Sequence, residues 1–162
     1  MAGFGFSDKP GNYSMEGWVQ QLDAFLTALQ LDKVSLVGNS FGGGLALAFA
    51  ARWPERVDKL VLMGSMGVTF PIPEGLDRVW GYEASIENMR SVLDFFAFDR
   101  TLVNDELAEL RFRASTEPGM QEAFSSMFPA PRQRWVESMT TPLEQIAALP
   151  HETLIIHGRD DR

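Results

Sequence analysis

Cysteine is absent from this sequence of 162 residues, so disulfides and thiolate metal sites are both excluded, and a reducing compartment suits the chain. Histidine is nearly absent, represented by His151 and His157 alone. Any chemistry that needs an imidazole base has just these two to draw on within the sequence. No apolar run is long enough to span a bilayer. The N-terminus lacks a basic segment followed by an apolar core and a cleavage site, so export is not expected and a cytoplasmic location is. Basic side chains are the minority, 14 against 22 acidic ones, which gives a net charge of -8 and an isoelectric point near 4.7. Such a surface repels nucleic acid and anionic membranes, leaving a small molecule as the partner that the charge allows. Internal repeats and low-complexity segments are lacking too. What the sequence has in quantity is apolar material, 45% of its residues, enough for one globular core with a modest second layer.

The most informative stretch is Val34-Ser35-Leu36-Val37-Gly38-Asn39-Ser40-Phe41-Gly42-Gly43-Gly44, after which Leu45, Phe49 and Ala51 continue at helical spacing. A Gly-x-Ser-x-Gly pattern is weak by itself, but at the junction of a buried strand and a helix it reads as a nucleophile elbow. A turn that tight forces Ser40 into a strained backbone conformation and leaves its hydroxyl exposed. Gly38 and Gly42 are expected at the two places where a Cβ would collide with the neighbouring strand and helix. The first amides of the new helix point at an oxygen bound above Ser40, and the Phe41 amide is the expected half of an oxyanion hole. Ser40 is the candidate nucleophile and acyl transfer the chemistry it suits. Asn39, beside it, is expected to hydrogen-bond near the site.

In chain order, residues 1–10 carry no strand, and Gly3-Phe4-Gly5-Phe6-Ser7-Asp8 reads as a loop. Ser14 is placed to cap a helix whose apolar positions Trp18, Leu22, Phe25, Leu26 and Leu29 form one buried face, ending near Leu31. The helix after the elbow runs to about Trp53, where Pro54 stops it. Val57 to Gly64 is a second strand, and its run Leu60-Val61-Leu62-Met63 has the pattern of a parallel sheet covered by helices on both faces. After Gly67 the composition changes. Phe70-Pro71-Ile72-Pro73 breaks regularity, and amphipathic helices follow over Ser85 to about Phe96, Asn104 to Ser115, Gly119 to Met127 and around Arg134 to Met139. Thr153 to Gly158 is read as a third buried strand. The expected architecture is α/β, with residues 1–68 and 142–162 as the core and 69–141 as an inserted helical cap. Three strands make a poor sheet, because the outer two would present apolar edges with unpaired backbone groups. Neither His151, in a turn, nor His157, at a strand end, is well placed to be the base.

The sequence resembles the meta-cleavage product hydrolases of the α/β-hydrolase fold, of the 2-hydroxymuconic semialdehyde hydrolase type. The residues that carry the resemblance are Gly3-Phe4-Gly5-Phe6-Ser7, Gly38-Asn39-Ser40-Phe41-Gly42-Gly43, Leu62-Met63-Gly64-Ser65, Phe96-Ala97-Phe98-Asp99, Phe128-Pro129-Ala130-Pro131-Arg132-Gln133-Arg134-Trp135 and His157-Gly158-Arg159-Asp160-Asp161. The family has strands and an oxyanion loop before this portion, and a last strand with a catalytic histidine after it. The resemblance therefore implies a partial sequence, with the base and the second oxyanion donor outside it. Asp161 in His-Gly-x-x-Asp is the implied acid, which would hold the imidazole in its working tautomer, whereas Asp160 reads as a solvated turn acid. Arg111 is implied to bind the substrate carboxylate through two parallel N–H bonds. Without the resemblance it would read as a surface arginine paired with Glu106 or Asp105. Phe96 is implied to line the apolar part of the site, among Val92, Phe95 and Phe98.

The implied reaction is hydrolysis of a carbon–carbon bond in 2-hydroxy-6-oxohexa-2,4-dienoates during aromatic catabolism, without metal or organic cofactor. A small dienoate is the implied partner, and a homo-oligomer the expected state at full length. Two other readings are open. The elbow and acid also fit a carboxylesterase of the same fold, and the missing histidine fits a catalytically dead binding module.

Overall fold

A computed structural model describes residues Met1–Asp161, which form two compact units. One unit comprises residues 14–70 and 134–161, the other residues 1–13 and 71–133. The division differs from the boundaries expected above: the N-terminal loop clusters with the cap helices, and residues 134–141 with the sheet.

The sheet unit is built around β1 (Val34–Asn39), α2 (Phe41–Arg52) and β2 (Val57–Met63), a right-sized β-α-β crossover. β2 is the middle strand. β1 and β3 (Glu152–Ile156) pair with it in parallel, and Asn39, Met63 and Ile156 come into line at the carboxyl end. Helix α1 (Met15–Ala28) starts where the Ser14 hydroxyl accepts the Gly17 amide at 3.1 Å. Its buried residues are Trp18, Val19 and Leu26, while Phe25 and Leu29 of the expected inner face are 57% and 53% exposed. Arg56, in the turn before β2, ties the end of α1 down by bonding Asp23 and the Leu31 carbonyl. Phe49, Ala50, Val57 and Leu60 are essentially inaccessible and make the centre of this core. Two short helices complete the unit, α7 (Gln133–Ser138) and α8 (Leu143–Ala147).

The expectation that all three strands are buried holds best for β2. β3 is exposed at each of its five residues, and Val37 of β1 is 67% exposed. The alternation of burial in β1 and β2 shows that what covers a strand, and not its apolar content, decides its exposure. A surface ion pair, Lys59 to Glu152 at 2.6 Å, links β2 to β3. Its hydrogen bond holds the Glu152 carboxyl below the ordinary carboxylate range and the Lys59 ammonium above the ordinary lysine range.

The second unit is helical among its described residues: α3 (Glu74–Trp80), α4 (Ile86–Leu93), α5 (Asp105–Ser115) and α6 (Met120–Met127). The Ser85 hydroxyl caps α4 through the Asn88 amide, and the Asn104 side chain caps α5 through the Leu107 amide at 2.9 Å. Tyr82, Met89, Val92, Leu93 and Ala108 form its core. The Trp80 and Phe128 rings stack at 4.5 Å beside it. No helix among the described residues is long and apolar enough to cross a membrane.

Candidate active site

Ser40 stands between the last residue of β1 and the first of α2, with φ 51° and ψ -117°. That conformation is unfavourable for a residue with a side chain, and it persists because the backbone is held from both sides. The Ser40 amide donates to the Met63 carbonyl at 2.9 Å, and the Ser40 carbonyl accepts from the Gly43 and Met66 amides at 3.0 Å each. The side chain is exposed, as expected. Gly38 is required for the reason anticipated: a Cβ there would lie 2.4 Å from the Gly42 carbonyl oxygen. Gly42 is not. A Cβ at Gly42 would meet nothing within 4 Å, whereas one at Gly43 would lie 2.1 Å from Ser65 Oγ, so the second obligatory glycine sits one residue later than expected. Phe41 opens α2, which puts its amide in the first turn beside the nucleophile, and its ring meets Trp18 edge-on at 4.8 Å.

Asp161 closes the turn after β3, its amide 3.3 Å from the Gly158 carbonyl. Gly64, at the end of β2, has φ +47°, and a Cβ on it would lie 3.2 Å from Asp161 Oδ2. The backbone of Ser40 is bonded to Met63 and the carboxylate of Asp161 lies over Gly64. Nucleophile and acid candidates are thus anchored on adjacent residues at the carboxyl end of the middle strand, the edge where parallel α/β sheets place their ligands. Asp160 and Asp161 are both exposed, so exposure does not distinguish the two. His157 comes close to the acid, Nε2 to Asp161 Oδ2 at 3.6 Å, a pairing that the sequence reading did not anticipate. His151 is committed elsewhere, its Nε2 2.8 Å from the Pro54 carbonyl.

A family model described as the alpha/beta hydrolase fold matches residues 1–162. The chain belongs to this family. It is 62% identical to a 2-hydroxy-6-oxo-2,4-heptadienoate hydrolase of Pseudomonas putida strain F1 and 60% identical to a 2-hydroxymuconate semialdehyde hydrolase of Pseudomonas sp. strain CF600, in both cases over the whole chain. It spans 59% and 58% of the length of those relatives. Among solved structures, a serine-to-alanine mutant of the meta-cleavage product hydrolase of Pseudomonas fluorescens IP01, complexed with acetates, matches with a TM-score of 0.96 and 58% identity. That match covers 98% of this chain and 59% of the other. The 2-hydroxy-6-oxo-6-phenylhexa-2,4-dienoate hydrolase of Rhodococcus sp. strain RHA1 matches with a TM-score of 0.86 and 29% identity, over 99% and 61% of the two chains.

In the helical unit of this α/β-hydrolase, Arg111 and Phe96 come together. The guanidinium lies 5.6 Å from the Phe96 ring centre, and both line a cavity of about 310 Å³ with Val92. Asp105, one partner that an ordinary surface reading gave Arg111, is taken by Arg90 at 3.0 Å, and Glu106, the other, makes no ion pair with Arg111. Among the described residues no carboxylate lies within ion-pair distance of Arg111. Phe98, 82% exposed, and Phe95, which packs against Gly75, do not line this cavity, and Phe96 is itself 55% exposed. The cavity also holds polar groups that the sequence did not single out. The Tyr82 and Ser115 hydroxyls bond at 2.9 Å, and the Gln121 amide nitrogen donates to the Tyr82 carbonyl. No motif marks these residues, since they lie on three separate helices or their flanking turns.

Proposed function

We propose that the complete protein hydrolyses a carbon–carbon bond in 2-hydroxy-6-oxo-2,4-dienoates and works in the cytoplasm. The observation that carries the reading is the strained Ser40 elbow anchored beside Asp161, in a chain 62% identical to a hydrolase named for such a substrate. The leaving group governs the mechanism. A carbanion at C5 becomes a tolerable leaving group once the dienol has taken up a proton at C5 and become the 2-keto form, because its electrons then flow through the C3–C4 double bond to the C2 oxygen. Ser40 Oγ attacks the C6 carbonyl as an imidazole held by Asp161 takes its proton, and the oxyanion is received by the Phe41 amide. The C5–C6 bond breaks, releasing the 2-hydroxydienoate and leaving the acyl group on Ser40. Water then frees it as the carboxylic acid. Arg111 takes the substrate carboxylate in a bidentate pair, Phe96 supplies an apolar contact, and Asn39 supplies a polar one beside the nucleophile.

The experiment separates this reading from an esterase of the same fold. Only the dienoate presents a charged bidentate acceptor, while a neutral ester such as p-nitrophenyl acetate uses Ser40, the oxyanion donors and the triad alone. Arg111→Gln in the complete protein is expected to lower kcat/KM for the dienoate roughly a hundredfold, about 3 kcal/mol for a charged bidentate pair, and to change ester hydrolysis less than about threefold. Equal losses on both substrates would make Arg111 a structural residue and favour the esterase.

A further inference from the structure

Three consecutive glycines, Gly42, Gly43 and Gly44, open helix α2, and the elbow motif accounts for one of them at most. The structure separates their roles. Beside Gly42 there is open space. A Cβ on Gly43 would lie 2.1 Å from Ser65 Oγ and 2.6 Å from Ser65 Cβ, and one on Gly44 would lie 3.3 Å from Met66. The turn that follows β2, residues 64–67, is therefore pressed against the first turn of α2. Gly67, with φ +121°, continues the contact: a Cβ on it would lie 2.6 Å from Leu47 Cδ1. From this turn comes the Met66 amide that donates to the Ser40 carbonyl at 3.0 Å, while the Ser65 hydroxyl donates to the Met66 carbonyl at 2.6 Å.

We propose that Ser65 is a positioning residue for the nucleophile: packed into the space left by the missing Gly43 side chain, it sets where the Met66 amide grips the Ser40 carbonyl. The physical reason is the strain at Ser40. A residue at φ 51° and ψ -117° relaxes unless its carbonyl is fixed. Its amide is fixed by the Met63 carbonyl and its carbonyl by the Gly43 and Met66 amides. Gly43 and Met66 are the two residues that contact with Ser65 places relative to one another. A change in the Ser65–Gly43 spacing therefore turns the Ser40 side chain without touching it.

The inference rests on the reading of Ser40 as a nucleophile, and the test keeps the two apart. Wild type, Gly43→Ala, Ser65→Gly and the double variant of the complete gene product are compared by the rate at which a fluorophosphonate labels Ser40 and by melting temperature. Gly43→Ala is expected to slow labelling about tenfold or more, and the double variant to return to within about threefold of Ser65→Gly alone, a coupling that independent sites do not show. Effects that simply multiply in labelling rate and add in melting-temperature shift overturn the brace. If Gly43→Ala does not accumulate as folded protein, recovery of folded protein on adding Ser65→Gly supports the brace and continued loss overturns it. A wild-type protein that folds but is never labelled at Ser40 counts against acyl transfer, and the melting-temperature cycle then decides the brace by itself. Ser65→Ala keeps the Cβ and loses the bond to the Met66 carbonyl. It should slow labelling a few-fold with an unchanged melting temperature, a split that simple packing does not produce.

Discussion

The two aspartates after β3 differ by one position in sequence and by much more in surroundings. Both are exposed, but Asp161 lies over Gly64 beside the strand end that holds Ser40, and its Oδ2 is 3.6 Å from His157. A carboxylate that orients an imidazole acts through the tautomer it enforces, so the amide isostere keeps the shape and loses the function. In the complete protein, Asp161→Asn is expected to keep the melting temperature within a few degrees and to lower kcat by roughly three to four orders of magnitude, while Asp160→Asn changes kcat less than about twofold. Steady-state kinetics on a dienoate check this, and the reverse ranking would assign the acid to Asp160. In the sequence, Asp161 was singled out through the family resemblance that His-Gly-x-x-Asp carries, and its role as the acid is a proposal. The need for glycine at positions 43 and 64 was not legible there, because it comes from residues far apart in the chain that meet at the strand ends.

At the scale of elements, capping decides where the helix bearing Arg111 begins. The Asn104 side chain accepts the Leu107 amide at 2.9 Å, satisfying one of the donors that the first turn of α5 cannot pair internally. Asn104→Ala should cost about 1 kcal/mol, and Asn104→Asp or Ser very little. For a unit of this size the loss corresponds to roughly 4–8 °C in the melting of the helical unit, measurable by calorimetry. An unchanged transition in Asn104→Ala would show that α5 is fixed by packing alone. The cap at Ser14 was readable in the sequence, and α1, α4, α5 and α6 followed from their amphipathic runs, whereas Ser85 and Asn104, read as first helical residues, are the caps of α4 and α5. Helices α3 and α8 were missed for a shared reason. Each begins directly after a proline, Pro73 or Pro142, and proline read as a breaker is equally a residue suited to a helix start. Burial of β3 was misjudged because Leu154-Ile155-Ile156 has core composition, yet nothing among the described residues covers it.

Over the whole chain, two features oppose each other. The net charge of -8 keeps copies apart, while an apolar strand invites them together: Leu154, Ile155 and Ile156 are 56%, 70% and 49% exposed, and among the described residues β3 pairs with β2 alone. A strand bare on its faces and unpaired along its outer edge is a template for another chain, by backbone hydrogen bonding and apolar contact together. Repulsion acts over the Debye length, roughly 10 Å at 0.1 M salt and 3 Å at 1 M, whereas the contact between strands does not weaken with salt. The 162-residue chain is therefore expected to self-associate more at 1 M than at 0.05 M sodium chloride, as followed by light scattering across a size-exclusion column. Ile155→Lys should reduce this association. Its side chain replaces one that is 70% exposed, so folding loses little, and it puts a charge on the exposed strand face that a second strand would have to desolvate. Association that falls with salt would place the attraction in ion pairs, and association that Ile155→Lys leaves unchanged would place it on a surface other than β3.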